Sequence, residues 1–433
     1  MRLLFSLLCV LVVSPLVPTM LGQADTLVGP WDGAISIGAV TLDITVTFSE
    51  DGSATIDIPQ QGAMGLPLQN VSIALPAVRF ELPSGLGLAV FEGTRDANTI
   101  VGAFTQASAS GTFSITWQDP GLADADASKA QVLPPGVLAE DVAIETATGT
   151  LRGTLTWPDG TEQPAPGVVL IAGSGPTDRD GNSIMLPGKN NSLRMLAEAL
   201  TAEGYAVLRF DKRGIAGSAG STLAEVDLRV ETFADDVTAW GRWLRVDPRT
   251  TDALTLIGHS EGTLVGALAA PALNANGFVA LAGLGRPIQV VLRRQLAAQL
   301  PPDVMTEADS VFATLERGGT VDGLSPMLLT MFRPSIQPYL TSVMAYDPTT
   351  LLAALDAPVL VVNGTTDVQV TVDDGERLAE ADNATLIVID GMNHILKAVD
   401  GPLQMQLPSY GDPSLPLHLD LLPALVGFLA EIE

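Results

Sequence analysis

One serine in this sequence lies in the pattern that a serine nucleophile requires. Ser260 is the centre of the pentapeptide Gly-His-Ser-Glu-Gly at residues 258–262. The pattern alone is a weak signal in a chain that contains 42 glycines. Its context makes it specific, because the apolar run 254–257 leads into it and the helix-forming run 263–268 follows it. These residues predict a strand, a strained turn that exposes the serine hydroxyl, and a helix.

A serine hydroxyl attacks a carbonyl only when an adjacent base takes its proton. The chain offers three histidines for this role. His259 is inside the pentapeptide and is expected to point away from Ser260, and His418 stands beside the last predicted helix, where a solvated or helix-capping histidine is ordinary. His394 comes just after the last predicted strand. By position and by elimination, we predict that His394 is the general base.

A carboxylate must orient that imidazole and stabilise its charged form. Asp367 follows the predicted strand 359–362 through a four-residue loop. The order Ser260, Asp367, His394 along the chain is the order found where the nucleophile lies on a strand-to-helix turn. Asp373 and Asp374 are the competitors, but they begin the next predicted helix, where acidic residues favour the helix dipole.

Acyl transfer also requires N–H donors aimed at the developing oxyanion. One predicted donor is the backbone N–H of Glu261, the residue after the nucleophile. The second is the backbone N–H of Ser174, with Gly175 as the alternative, in the glycine-rich loop after the predicted strand 168–172.

The charged residues that continue this loop superficially resemble a calcium-binding loop. That interpretation fails, because Ser183 stands where the loop needs its glycine and Lys189 where it needs its bidentate glutamate. We expect the charges of residues 178–180 to form ion pairs that brace the loop, and we expect a bracing role for the charged turn 211–214. No cofactor or metal is predicted, since neither a phosphate-binding glycine loop nor metal-ligand spacing occurs in the sequence.

The elements that must position these residues alternate between strands and helices from about residue 138. This alternation is typical of a mostly parallel sheet with helices on both faces. Segments 142–145 and 151–157 predict an antiparallel hairpin at the sheet edge, and the long interval 285–355 predicts an inserted helical cap. The predicted strands are 168–172, 205–210, 254–258, 278–282, 358–362 and 384–389, and the predicted helices are 192–202, 233–244, 261–270 and 419–433.

The part of the chain before this region has a different pattern. Residues 25–118 alternate polar and apolar positions at period two and predict a small all-β domain, a barrel or a sandwich. Residues 119–137 have the composition of a linker, and the domain that follows spans 138–433. Residues 1–24 read as a signal peptide, which predicts export to the periplasm or the exterior. Cys9, the single cysteine, lies inside that segment.

The formal charge is −27, from 49 acidic and 22 basic residues. Such a surface repels nucleic acid and anionic membranes, and neither is an expected partner. The apolar run near the N-terminus is broken by Pro15 and Pro18, so no stable membrane span is predicted. We interpret the acidic composition as favouring solubility. The sequence does not predict an oligomeric state.

Taken together, these residues resemble the α/β-hydrolase superfamily. More narrowly, the loop 173–182 (Gly-Ser-Gly-Pro-x-Asp-Arg-Asp-Gly-Asn), the elbow 258–262 and the cap stretch 333–339 are similar to those of bacterial serine esterases. The resemblance covers about residues 137–433 and implies a carboxylesterase that acts on short-acyl esters. Two alternatives remain: a peptide or amide substrate on the same triad, with Glu261 holding a free amine, and a catalytically silent protein that binds a cell surface.

Overall fold

The computed structural model of the protein describes residues 27–37, 40–49, 51–58, 63–84, 87–106, 109–117, 133–160, 163–183, 188–221, 223–297 and 300–432. The predicted signal peptide 1–24 and residues 119–132 of the predicted linker lie outside the described residues. The proposed domain boundaries at 25–118, 119–137 and 138–433 therefore stay predictions.

The first part of the described chain folds into one antiparallel sheet of nine strands, in the order β4-β3-β2-β1-β9-β8-β7-β6-β5. The chain meanders from strand to strand, and β1 pairs with β9 so that Trp31 lies opposite Trp117. The strands are β1 Gly29–Ile37, β2 Val40–Phe48, β3 Ala54–Ile58, β4 Ala63–Pro67, β5 Gln69–Ala74, β6 Ala77–Ser84, β7 Gly87–Asp96, β8 Thr99–Gln106 and β9 Ala109–Trp117.

The alternating pattern of these strands buries one set of side chains in a shared core. Phe80 is stacked on Phe91 with ring centroids 4.7 Å apart, and it meets the edge of Phe113 at 5.7 Å. Trp31 is fully buried, and its indole N–H donates to the carbonyl of Leu27 at 2.8 Å. Trp31 is therefore part of the core of this sheet.

The second part contains an eight-stranded sheet in the order β10-β11-β13-β12-β14-β15-β16-β17. The hairpin of β10 and β11 lies at the edge and is antiparallel, as predicted, and β11 also pairs antiparallel with β13. All further pairs are parallel, so the sheet is mixed but mostly parallel. The strands are β10 Val137–Thr146, β11 Gly149–Pro158, β12 Ala165–Ile171, β13 Ala206–Phe210, β14 Thr250–His259, β15 Gly277–Leu281, β16 Val359–Gly364 and β17 Ala384–Ile389.

Helices cover both faces of this sheet, because successive residues of each central strand point into different cores. Val168 belongs to the cluster that includes Leu196 and Leu425, whereas its neighbour Val169 belongs to the cluster that includes Trp240. The helices are α1 Ser192–Ala202, α2 Val230–Val246, α3 Gly262–Leu273, α4 Ile288–Ala297, α5 Pro302–Leu315, α6 Pro326–Phe332, α7 Gln337–Met344, α8 Pro348–Ala353, α9 Val372–Leu378, α10 Leu403–Gln406 and α11 Leu421–Ile432.

The five helices α4 to α8 stand between β15 and β16, where the sequence predicted a helical cap. Part of this insertion has a core of its own, in which the rings of Phe312 and Phe332 meet edge to face with centroids 5.1 Å apart. Among the described residues, no helix has the length and apolarity that crossing a membrane would require.

Candidate active site

The strand-to-helix turn at Ser260 has the strained geometry that its sequence predicted. Ser260 lies between β14 and α3 with a φ of 55°, in the left-handed region that residues other than glycine rarely adopt. A Cβ at Gly258 would stand 2.3 Å from the carbonyl oxygen of Gly262, and a Cβ at Gly262 would stand 2.3 Å from that of Ile171. The turn therefore requires glycine at both positions.

Asp367 and His394 are brought together from loops that follow β16 and β17. The Nδ1 atom of His394 lies 2.8 Å from Oδ2 of Asp367, and both side chains are buried. Oδ1 of the same carboxylate accepts the backbone N–H groups of Gln369 at 2.8 Å and Val370 at 2.9 Å. An ionised carboxylate can only accept hydrogen bonds, so Nδ1 must be the donor and must carry the proton of the neutral imidazole. The remaining nitrogen, Nε2, is then available as a base.

Ser260 and His394 line the same cavity, which has a volume of about 180 Å³. The cavity opens at the carboxyl end of the parallel strands, where ligands bind in open α/β sheets. Its wall also includes Gln369 and Tyr410, and the Gln369 amide donates to the Tyr410 hydroxyl at 2.7 Å. Burial raises the pKa of Tyr410 to about 12, so this phenol stays protonated. Sequence reasoning did not single out either residue.

The side chain of His259 faces the cavity, a position that the sequence did not predict. Its ring lines the cavity, and its centroid lies 5.0 Å from that of His394. The Nε2–H group of His259 donates to the backbone carbonyl of His394 at 2.8 Å. Burial, together with repulsion from His394, lowers the pKa of His259 to about 4. His259 is therefore neutral near pH 7, and it anchors the loop that carries His394.

The glycine-rich loop after β12 lies directly against the candidate nucleophile. A Cβ at Gly173 would stand 3.1 Å from Cβ of Ser260. Within the described part of the chain, the backbone N–H groups of Ser174 and Glu261 donate to no acceptor. Two unengaged N–H groups beside a serine are what an oxyanion hole requires.

Ion pairs hold the rest of this loop, as the sequence predicted. Arg179 donates to Asp211 from both Nε and Nη2, at 3.0 and 2.7 Å, and Arg209 pairs with Asp180 at 2.8 Å. Asp178 accepts the backbone N–H groups of Asp180 and Asn182 at 2.9 and 2.8 Å. Burial raises the pKa of Asp178 above its ordinary value. Within the described ranges, no cluster of three or more His, Cys, Asp or Glu side chains is suited to a metal.

The cap contacts the elbow through one hydrogen bond that sequence reasoning missed. The hydroxyl of Tyr339, in α7, donates to Oε1 of Glu261 at 3.0 Å. Burial and the Glu261 carboxylate raise the pKa of this phenol well above its ordinary value. Nearby, Arg333 pairs with Glu225 at 2.9 Å. Residues 333–339 therefore connect the cap to the turn at Ser260 and to the segment that carries Glu225.

The alternative residues weighed from the sequence lie elsewhere. Asp373 and Asp374 occupy the first turn of α9, and both pair with Arg286. His418 is largely buried rather than solvated, and its Nδ1 accepts the backbone N–H of Asp420 at 3.3 Å, just before α11. That contact fits the helix-capping alternative.

Comparison with known proteins assigns the chain to a family. The model of the Alpha/beta hydrolase family matches residues 168–404, more than half of the chain. The chain therefore belongs to that family.

Esterase EstD of Thermotoga maritima is 27% identical over 255 residues, which are 58% of this chain and 59% of that protein. The chain thus matches about three fifths of the length of this curated relative. Among solved structures, Est1E from Butyrivibrio proteoclasticus has a TM-score of 0.43 at 16% identity, covering 67% of this chain and 98% of that one. A hypothetical protein from Pseudomonas aeruginosa has a TM-score of 0.48 at 15% identity, covering 71% and 97%.

Proposed function

We propose that this protein is a serine carboxylesterase that cleaves short-acyl esters through a Ser260–His394–Asp367 triad. The observation that carries the proposal is the 2.8 Å hydrogen bond between Asp367 and His394, because His394 lines the same cavity as the strained Ser260. The name of the Thermotoga relative, an esterase, supports the same reaction.

The reaction is a two-step acyl transfer. Nε2 of His394 takes the Ser260 proton as Oγ attacks the ester carbonyl, and the tetrahedral oxyanion accepts the N–H groups of Ser174 and Glu261. His394 then protonates the leaving alcohol, which departs and leaves an acyl-enzyme. Water, deprotonated by His394, attacks the acyl carbon in the second step, and Ser260 regains its proton when the acid is released. No cofactor takes part in this scheme.

Two features bear on the substrate. The cavity has a volume of about 180 Å³. This is smaller than the roughly 300–1,000 Å³ of sites for drug-sized ligands, which favours a short acyl group.

The alternative of a peptide or amide substrate requires a carboxylate that is free to hold the substrate's amine. The Glu261 carboxylate already accepts the Tyr339 hydroxyl, and Glu261 is not among the described residues that line the cavity. An ester is therefore the better-supported substrate.

The test compares p-nitrophenyl esters of graded chain length with aminoacyl p-nitroanilides. We expect turnover of acetate and butyrate esters, a steep decline for long chains, and loss of turnover in Ser260→Ala. Ser53→Ala, in the exposed turn just before β3, is the matched control and should behave as the wild type. Ester turnover that survives Ser260→Ala would refute the nucleophile, and a preference for anilides would favour the peptidase. A folded wild-type protein without either activity would favour a binding role.

We also propose that the protein is exported, because Arg2, the apolar run 3–13 and the small residues before position 25 form a signal-peptide pattern. Expression of the full chain in a bacterium with a periplasm tests this. We expect mature protein outside the cytoplasm, with an N-terminus near residue 25. Full-length protein retained in the cytoplasm would contradict the proposal.

A further inference from the structure

Lys212 contacts the glycine-rich loop that carries one of the two candidate oxyanion donors. It follows β13 at the carboxyl end of the sheet, and its side chain is partly buried. The Nζ atom donates hydrogen bonds to two backbone carbonyls, those of Gly173 and Gly175. These two carbonyls flank Ser174, whose N–H is the candidate oxyanion donor. The ammonium group therefore holds the loop on both sides of that donor.

The contact with Gly173 acts on the donor itself. The carbonyl of Gly173 and the N–H of Ser174 belong to one planar peptide unit and share its resonance. A cation that hydrogen-bonds to the carbonyl oxygen draws electron density towards it and makes the N–H at the other end a stronger donor. The bond also fixes the rotation of the peptide plane, and so the direction of the N–H.

Lys212 is connected to the second oxyanion donor through the side chain of Glu261. The Glu261 carboxylate attracts the ammonium group of Lys212 and accepts the Tyr339 hydroxyl from the cap. Asp211, the acidic neighbour of Lys212 in the chain, is engaged by Arg179 and by the backbone N–H of Gly217. Glu261 is thus the carboxylate that acts on Lys212.

The pKa of Lys212 lies about one unit above neutral pH. Burial lowers the pKa of Lys212 to about 8, and Glu261 opposes part of that shift. The ammonium group is therefore present at pH 7 and is lost as the pH rises above about 8. A neutral amine still donates hydrogen bonds, but it polarises the peptide unit much less.

We propose that Lys212 is a positioning residue of the oxyanion hole, which orients and polarises the Gly173–Ser174 peptide unit through its ammonium group. This inference rests on the esterase proposed above. It assigns to Lys212 a share of transition-state stabilisation without direct contact with the substrate. The expected signature is an effect on kcat, since the oxyanion exists only in the transition state and the intermediate.

The test uses Lys212→Met, which keeps the aliphatic stem, and Lys212→Arg, which keeps a cation that does not titrate below pH 12. Lys189→Met, at an exposed lysine, is the matched control. With p-nitrophenyl acetate at pH 7, we expect Lys212→Met to lower kcat by about 10- to 100-fold, less than the ~10²–10³-fold loss for a direct donor. KM should change by less than about threefold. Lys212→Arg should recover most of the activity.

Two further readouts separate positioning from a merely structural role. The wild-type kcat should fall above about pH 8, and this alkaline decline should be absent in Lys212→Arg. Benzeneboronic acid, whose adduct with the serine mimics the tetrahedral intermediate, should bind Lys212→Met more weakly by the same factor as kcat falls.

Three results would overturn the proposal: a folded Lys212→Met with unchanged kcat, an alkaline decline that persists in Lys212→Arg, or a boronate affinity that does not change. If Lys212→Met does not fold, the pH dependence of kcat in the wild type and in Lys212→Arg still tests the proposal. Ser260→Ala, measured in parallel, distinguishes failure of the esterase itself, because it alone tests the nucleophile.

Discussion

Replacement of Asp367 by asparagine is expected to disable the candidate triad while leaving the fold intact. The asparagine carbonyl can take the place of Oδ1 and accept the N–H groups of Gln369 and Val370, which lie at 2.8 and 2.9 Å. Its amide nitrogen then stands in the position of Oδ2, 2.8 Å from Nδ1 of His394. An amide NH₂ only donates, so Nδ1 must become the acceptor and the imidazole proton moves to Nε2.

A His394 protonated at Nε2 cannot take the proton of Ser260. The corresponding change in a serine protease lowers kcat by about 10⁴, or about 5.4 kcal/mol in the activation barrier. We expect a loss of about 10³–10⁴ in kcat of Asp367→Asn at pH 7.5, measured with p-nitrophenyl acetate. Because both backbone hydrogen bonds can persist, the Tm should fall by only a few degrees.

Asp373→Asn is the matched control for this substitution. The Asp373 side chain is 59% exposed at the start of α9 and is paired with Arg286, so kcat should stay within about twofold of the wild type. A folded Asp367→Asn that keeps more than a tenth of the wild-type kcat would refute the role of Asp367.

The remaining predictions concern stability and are measured by urea unfolding. Tyr339→Phe leaves the Glu261 carboxylate without its hydroxyl partner at 3.0 Å and should lower the free energy of unfolding by about 1.5–3 kcal/mol. Arg179→Met leaves Asp211, whose side chain is 2% exposed, without its cation and should cost about 3–5 kcal/mol. His259 has a pKa lowered to about 4, so the unfolded chain takes up a proton below pH 6.5 that the native state does not. The stabilising contribution of neutral His259 is full above pH 6.5 and is lost as the pH falls towards 4, by up to about 3 kcal/mol. Wild type should therefore lose more stability than His259→Gln between pH 7 and pH 4.5.

The first two of these predictions have control substitutions in the same chain. Tyr346→Phe removes a 2.7 Å hydrogen bond to the exposed Glu231 and should cost less than Tyr339→Phe. Arg377→Met breaks an exposed pair at 3.9 Å and should change stability by less than about 1 kcal/mol. If a variant and its control lost the same free energy of unfolding, the claim that burial makes these contacts more stabilising would be contradicted. An equal pH dependence of wild type and His259→Gln would contradict the role assigned to the His259 imidazole.

The features that sequence predicted well are those encoded by local patterns. The strands β12, β13, β15 and β16 are short, mostly apolar runs because both faces of the sheet are covered there. The helix α1 begins and ends at the residues that the sequence predicted. The elbow at Ser260 was predictable because two glycines, a strand and a helix stand together within about twenty residues. Asp367 and His394 were predictable from where they stand after successive strands, since the carboxyl ends of parallel strands meet at one edge of the sheet.

The contacts that sequence reasoning missed join residues that are distant along the chain. His259 and the His394 carbonyl are 135 positions apart, Tyr339 and Glu261 are 78 apart, and Lys212 and Gly173 are 39 apart. No periodicity or spacing rule reaches across such distances. The His259 side chain illustrates this: the sequence excluded it as the base for Ser260 but did not indicate its partner, the His394 carbonyl in another loop.

The distribution of charge also follows from these contacts. The four arginine side chains at positions 179, 209, 213 and 286 are at most 18% exposed, and each pairs with an aspartate. These cations therefore brace loops at the carboxyl end of the sheet. At Arg179, Arg213 and Arg286, a neutral substitute would leave a buried carboxylate without its cation. Because each of these four pairs is neutral as a unit, the other 18 basic and 45 acidic residues carry the whole formal charge of −27.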